Sequence, residues 1–199
     1  MCGRFVTGTD EHDWRSWATT LGLLLELPAA IPAAMPAAWI PTASVPIVRR
    51  ASAGLVLERA RWGLMPSWMK QPLTQPPQYN VRVETAPQRF KKYFEQRRCV
   101  LPASGFWVRR EHGEGHVFAA PAAGGLTSLA GLWTEREVEG VLHRSCTILT
   151  VEAAPELGRF HDRMPVVLAP ARARRWLEAE VASDELLALC AEQPTLVLS

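Results

Sequence analysis

Cys2 follows the initiator methionine, and a side chain that small in second position permits removal of Met1. An α-amine and a thiol would then stand on adjacent carbons as a 1,2-aminothiol. The amine, with a reference pKa of about 8, is partly neutral at pH 7 and condenses with an aldehyde to an imine. The thiol, with a reference pKa of about 8.5, can close on the imine carbon to give a five-membered thiazolidine. Two other segments carry groups suited to an anionic, base-bearing ligand. In QYNVRVET (78–85) the period of a strand puts Asn80, Arg82 and Glu84 on one face, and in RWGLMPSW (61–68) Trp62 and Trp68 flank a turn at Pro66. An arginine between Asn and Glu beside exposed aromatics describes a site for a phosphate and an unpaired base. In FHDRMP (160–165), Pro165 disfavours helix at Met164, so His161 and Arg163 share one side of an extended run. Polar groups placed just before an apolar strand escape a burial cost when they face a cleft.

The rest of the sequence must position these groups. At 199 residues, with 48% hydrophobic and 21% charged residues, the chain is of the size and composition of one globular domain, residues 1–199. The net charge is only +2, so nucleic-acid binding has to come from a local basic surface. Only Lys70, Lys91 and Lys92 are lysines, against nineteen arginines, whose planar fork suits phosphate. Residues 27–48 are uncharged, but Pro28, Pro32, Pro36, Pro41 and Pro46 would break a membrane helix, and the segment reads as a wandering surface stretch. Arg4 and the acids after it stand where an export signal would need an apolar core, so a cytoplasmic protein is expected. Cys2, Cys99, Cys146 and Cys190 are too far apart for a zinc motif and show no sign of a disulfide framework; the last three lie in apolar runs as small buried hydrophobes. His12, His112, His116 and His143 are scattered and read as surface or turn residues. No cofactor or metal is implied.

Asp10 caps a helix with Trp14, Trp17, Leu21 and Leu24 on one stripe, ending before Pro28. Residues 54–64 alternate as a strand, with Leu55, Leu57, Arg59 and Arg61 on one side. Thr85 and Gln88 form a capping-box pattern before a helix over 86–97, with Pro87 in its first turn and Phe90, Tyr93 and Phe94 on its apolar stripe. Strand-like runs follow at 98–101, 117–120, 126–132, 146–151 and 165–168, and helical patterns return at 171–180 and at 184–192, the latter capped by Ser183. Helices interspersed among short strands without regular βαβ alternation predict an α+β fold with a mostly antiparallel, curved sheet.

MCGRF at the start, then WGLMPSW, NVRVET, RRCVLPASGFW, LAGLW and HDRMP, in this order over nearly the whole chain, closely resemble the SRAP (SOS response-associated peptidase) family of abasic-site processing proteins of the HMCES/YedK type. The resemblance implies a single α+β domain, a distorted β-barrel-like sheet with peripheral helices and a groove for single-stranded DNA. It also implies a covalent thiazolidine between the terminal Cys and the ring-opened aldehyde of an abasic site; a monomer is assumed. On that pattern Cys2 is the nucleophile, Asn80 lies beside the reacting centre and His161 assists ring opening and proton transfer. Arg82 and Arg163 hold the flanking phosphates, with Arg4 and Met164 also on the DNA, and Trp62 and Trp68 stack on neighbouring bases. The chain departs from the pattern at Val108, where relatives carry a catalytic Glu, and at Ala38, where they carry an Asn; Arg109 and Arg110 add charge nearby. Val cannot transfer a proton, so the chain either cross-links slowly or recruits another carboxylate, Glu84 or Glu111, with Glu84 more readily read as an ion-pair partner of Arg82. Two further readings stay open. One is a degenerate relative that grips single-stranded DNA without a covalent bond, as Val108 suggests. The other is a Cys peptidase or amidohydrolase, because Met-Cys-Gly also opens class II glutamine amidotransferases.

Overall fold

The apolar runs of the second half are buried on both faces because the sheet they form closes on itself. The computed structural model describes residues 2–8, 10–23, 38–69, 78–110 and 115–199. Five strands make the barrel: β2 (Ser44–Ala51), β3 (Gly54–Trp62), β5 (Arg98–Ala103), β8 (Thr127–Val138) and β9 (Val141–Glu152). Around the ring the order is β9, β3, β2, β5, β8 and back to β9; every pairing is antiparallel except that of β3 with β9. Closure brings side chains from every strand into one small interior. A Cβ on Gly131 would meet the Thr147 carbonyl at 2.6 Å and Cys99 Sγ at 3.0 Å, so only glycine fits there.

β5 turns at Ser104 into β6 (Gly105–Arg109), which leaves the barrel for a second, four-stranded antiparallel sheet ordered β1 (Cys2–Val6), β6, β7 (His116–Pro121), β12 (Leu196–Leu198). The Ser104 amide donates to the Val6 carbonyl at 2.8 Å and ties β1 to that corner. The N-terminus is therefore led to one end of the barrel.

Helix α1 (Glu11–Leu21) forms where its sequence predicts: Asp10 accepts from the Asp13 amide, and Gly22, at φ 70°, ends it in the left-handed conformation. Its apolar stripe is anchored by indole N–H groups, Trp14 to the Gly8 carbonyl at 2.8 Å and Trp17 to Ser128 Oγ at 2.9 Å. α5 (Pro170–Trp176) packs against it, and α6 (Ser183–Ala191) follows. No helix among the described residues is long and apolar enough to cross a membrane.

Several expectations are corrected. The helix over 86–97 is two, α2 (Ala86–Arg89) and α3 (Lys91–Gln96), broken at Phe90, whose φ of −128° is not helical. The capping box does not form: Thr85 donates its hydroxyl back to the Arg82 carbonyl instead. Ala182, not Ser183, caps α6, and α5 stops at Trp176 rather than running to 180. The proline-rich segment is not all surface, because Val45, Ile47 and Val48 are core residues of β2; Leu24, Pro28, Pro32, Pro36, Lys70, Glu111 and His112 lie outside the described residues.

Candidate nucleic-acid interface

β9 ends in Thr150–Val151–Glu152, and two short strands bring the polar motifs to its opposite edges. β4 (Asn80–Arg82) runs parallel to it with Arg82 opposite Thr150, and β10 (Arg163–Pro165) runs antiparallel with Arg163 opposite Glu152. Beyond β10, β11 (Val167–Leu168) returns to β8. Segments eighty residues apart in sequence thus meet at Thr150. Arg163 donates to both Glu84 oxygens, at 2.8 and 2.9 Å, and to the Thr150 carbonyl at 2.5 Å. The bidentate bond from Arg163 holds the Glu84 carboxyl below the usual range, against the opposing effect of burial, and the nearby charge of Arg82 adds to it. His161 follows the short helix α4 (Pro155–Gly158). Its Nδ1 accepts the Arg163 amide at 2.9 Å and lies 2.7 Å from Asp162 Oδ1. The first contact needs a bare Nδ1 and the second a protonated one, so the two are not made at once.

Arg82 is exposed and shared by two clefts. One, of about 420 Å³, is lined by Arg82, Glu152, Ala153, Gly158, Asp162 and Arg163. The other, of about 390 Å³, is lined by Asn80, Arg82, Thr85, Arg89 and Phe90 among others. Beside the second cleft the Trp68 ring, 57% exposed, rests on Phe90 and Tyr93 with centroids 5.5 and 5.7 Å away. Cys2 opens β1 with its backbone opposite Val108, and β1 passes close to β10. Val108 is fully buried and has Val117 on its other side, so no proton donor occupies that position.

Four site expectations change. Trp62 is not a stacking platform: it is fully buried, packed edge-on against Phe5 and Tyr79, with its N–H on the Tyr79 carbonyl at 2.8 Å. Met164 is fully buried too, its sulfur accepting the Ala154 amide at 3.3 Å, and is out of reach of DNA. Arg163 is only 8% exposed and turned onto Glu84 and Thr150, so a phosphate would have to displace those bonds. Glu84 lies in the turn after β4, pairs with Arg163 rather than Arg82, and is kept ionised, which disqualifies it as a proton donor near neutral pH. Arg4 is exposed at the start of β1. Sequence reasoning missed Arg89. It reaches the cleft because the chain folds back from β4 into α2, and a spacing of seven residues carries no signal for that.

The chain matches the family model of the SOS response associated peptidase (SRAP) over residues 1–198. It is 31% identical over 137 residues to the abasic site processing protein YoaM of Bacillus subtilis, covering 66% of this chain and 60% of that one. It is 28% identical over 194 residues to the abasic site processing protein YedK of Escherichia coli, covering 93% and 83%. Against the abasic site processing protein HMCES of Xenopus tropicalis it is 31% identical over 167 residues, covering 69% and 50%. The match therefore spans less than two thirds of YoaM and half of HMCES. Among solved structures, a protein from Bordetella bronchiseptica superposes with a TM-score of 0.80 at 23% identity, covering 100% of this chain and 98% of that one. One from Bacteroides thetaiotaomicron gives 0.79 at 16%, covering 99% and 91%. The barrel with its appended sheet is thus a fold already seen in crystals, and with a family match running from the first residue to the last but one, the chain belongs to the SRAP family.

Proposed function

We propose that this chain processes abasic sites in single-stranded DNA as a one-domain cytoplasmic monomer, capturing the ring-opened sugar through Cys2 and shielding it during the response to DNA damage. The observation that carries this reading is the convergence at one end of the barrel: the backbone of Cys2 opens β1 beside β10, where Arg82 joins two clefts and Asp162 and Arg163, which follow His161 in the chain, line one of them. The names of the relatives point the same way. An abasic nucleotide offers no base to read, so recognition falls to its aldehyde and to the backbone around it. After loss of Met1, the Cys2 amine adds to the sugar C1′ aldehyde and water leaves, giving an imine. The thiol sulfur then bonds to the imine carbon, its proton passes to the nitrogen, and the thiazolidine closes. In this reading His161 moves protons in ring opening, Arg82 and Arg89 hold phosphates, and Trp68 stacks on an unpaired base.

A second reading is favoured by Val108. With an apolar side chain opposite Cys2, the protein would grip single-stranded DNA without reacting. Incubation with a single-stranded oligonucleotide containing one abasic site, followed by a denaturing gel, separates the two. A slow-migrating species lost in Cys2→Ala supports capture. Binding with no such species, in protein whose Met1 is absent, supports the non-covalent reading. Val108→Glu should then accelerate the covalent step, by roughly 10²-fold or more if the acid is well positioned.

A further inference from the structure

Beyond His161 the surface carries a second cationic feature, in which the β6–β7 hairpin docks on the turn after α4. Arg110 follows the last residue of β6, its amide donating to the Gly115 carbonyl at 3.2 Å, and Arg159 follows α4. Both guanidiniums lie against the same ring, that of Phe160, with Cζ 4.9 Å from the centroid for Arg110 and 4.6 Å for Arg159. Both arginines are exposed, and among the described residues neither has a carboxylate partner. Arg109, exposed on the same hairpin, adds a third charge. Phe160 immediately precedes His161, and Gly158, just before Arg159, lines the 420 Å³ cleft with Arg82 and Arg163.

We infer that Arg110 and Arg159, held on Phe160, form a second phosphate-binding station that takes the DNA backbone as it leaves the Arg82 cleft on the His161 side. This rests on the nucleic-acid reading of the site. Two like charges brought to one aromatic ring repel each other. The ring's π-face offsets part of that cost, and a bridging anion would relieve the rest. Stacking on the ring fixes each guanidinium plane yet leaves its N–H fork open to phosphate oxygens. Arg82 and Gly158, the neighbour of Arg159, line the same cleft, so an anion that reaches from one cationic group to the other is an extended one. The station therefore assigns a direction to the bound strand, with flank on one side of the abasic nucleotide passing over Phe160.

The test compares the wild type with Arg110→Gln/Arg159→Gln on three single-stranded abasic oligonucleotides: one with a long flank only 5′, one with a long flank only 3′, and one with short flanks on both sides. The expected result is a loss of about tenfold in affinity at low salt for one of the two long-flank oligonucleotides alone, with the short oligonucleotide unchanged. For the affected oligonucleotide the slope of log K against log salt should fall by about 1.4, two phosphates at about 0.7 each. Phe160→Leu, which keeps both charges but removes their platform, should give the same flank preference with a smaller loss. Equal losses on all three oligonucleotides, or no loss on any, would overturn the station. Failure of the wild type to bind any of them would instead overturn the nucleic-acid reading beneath it.

Discussion

Two ends of one barrel are rich in arginine, and they use it in opposite ways. At the end where β5 begins, Arg98 is 6% exposed and donates to five carbonyls, those of Phe94, Glu95, Trp176, Glu178 and Ala179. Burial, with Arg175 and Arg50 nearby, lowers its pKa to about 10. Around it Arg49 pairs with Glu58 and lies over Trp133, whose ring also carries Arg97, and Arg50 donates to the Leu177 carbonyl at 2.8 Å. These cations bind the strand ends to α3 and to the segment after α5. At the other end Arg82, Arg89, Arg110 and Arg159 are exposed beside open clefts, with no ion pair among the described residues. The 230 Å³ cavity at the first end, lined by Arg50, Arg98 and Trp133, is walled by cations already committed to protein acceptors. An arginine whose donors are consumed by backbone is a structural bolt; one left open beside a cleft is free for a ligand.

Substitutions sharpen this contrast. The largest effect is expected from Arg98→Ala, which orphans five buried or half-buried carbonyls and should cost about 3–5 kcal/mol in urea unfolding, while the remaining folded protein keeps its affinity for DNA. Next, Trp68→Ala should remove about 1–3 kcal/mol of single-stranded DNA binding with little change in stability, read by titration of a labelled oligonucleotide. Glu84→Gln probes the boundary between the two uses, since it frees Arg163. A loss of about 1–2 kcal/mol of stability is expected at pH 7, reduced from the buried-pair value because the carboxylate is half exposed. The folded-state pKa of Glu84 is lowered from 4.5, so its contribution is fully present above pH 4.5 and is lost as pH falls through the folded value. The stability gap between wild type and Glu84→Gln should therefore narrow in acid. The smallest effect is expected from Arg50→Ala: DNA affinity within twofold of wild type, despite removal of a positive charge. A large loss there would erase the distinction between the two ends.

The sequence shows four Arg-Arg pairs, at 49–50, 97–98, 109–110 and 174–175, and nothing local separates the bolted from the open ones. The difference lies in what packs over them, and that is tertiary. Short-range periodicity makes the Trp14–Trp17 stripe and the apolar strands legible, and the Asp10 cap forms, whereas the caps expected at Thr85 and Ser183 do not. The ordered motifs carried the α+β barrel-like fold. Trp62 and Trp68 show the limit. They are six residues apart on either side of one turn, yet the first is fully buried against Phe5 and Tyr79 and the second lies on the surface. Both are aromatic, and only the direction of the chain at Pro66 decides which one meets solvent. Glu84 was placed on the face of Arg82 by strand period, but β4 ends at Arg82 and the following turn redirects the carboxylate to Arg163.

Cys2 opens β1 at one end of the barrel, and one measurement tests its chemistry directly. The protein is incubated with abasic single-stranded DNA, the complex is digested with nuclease and protease, and the N-terminal peptide is weighed. The expected peptide starts at Cys2, lacks Met1, and carries the sugar remnant with the loss of one water, blocking both amine and thiol. An N-terminal peptide that begins at Cys2 and is unmodified, in protein that has bound the DNA, would contradict capture by this residue.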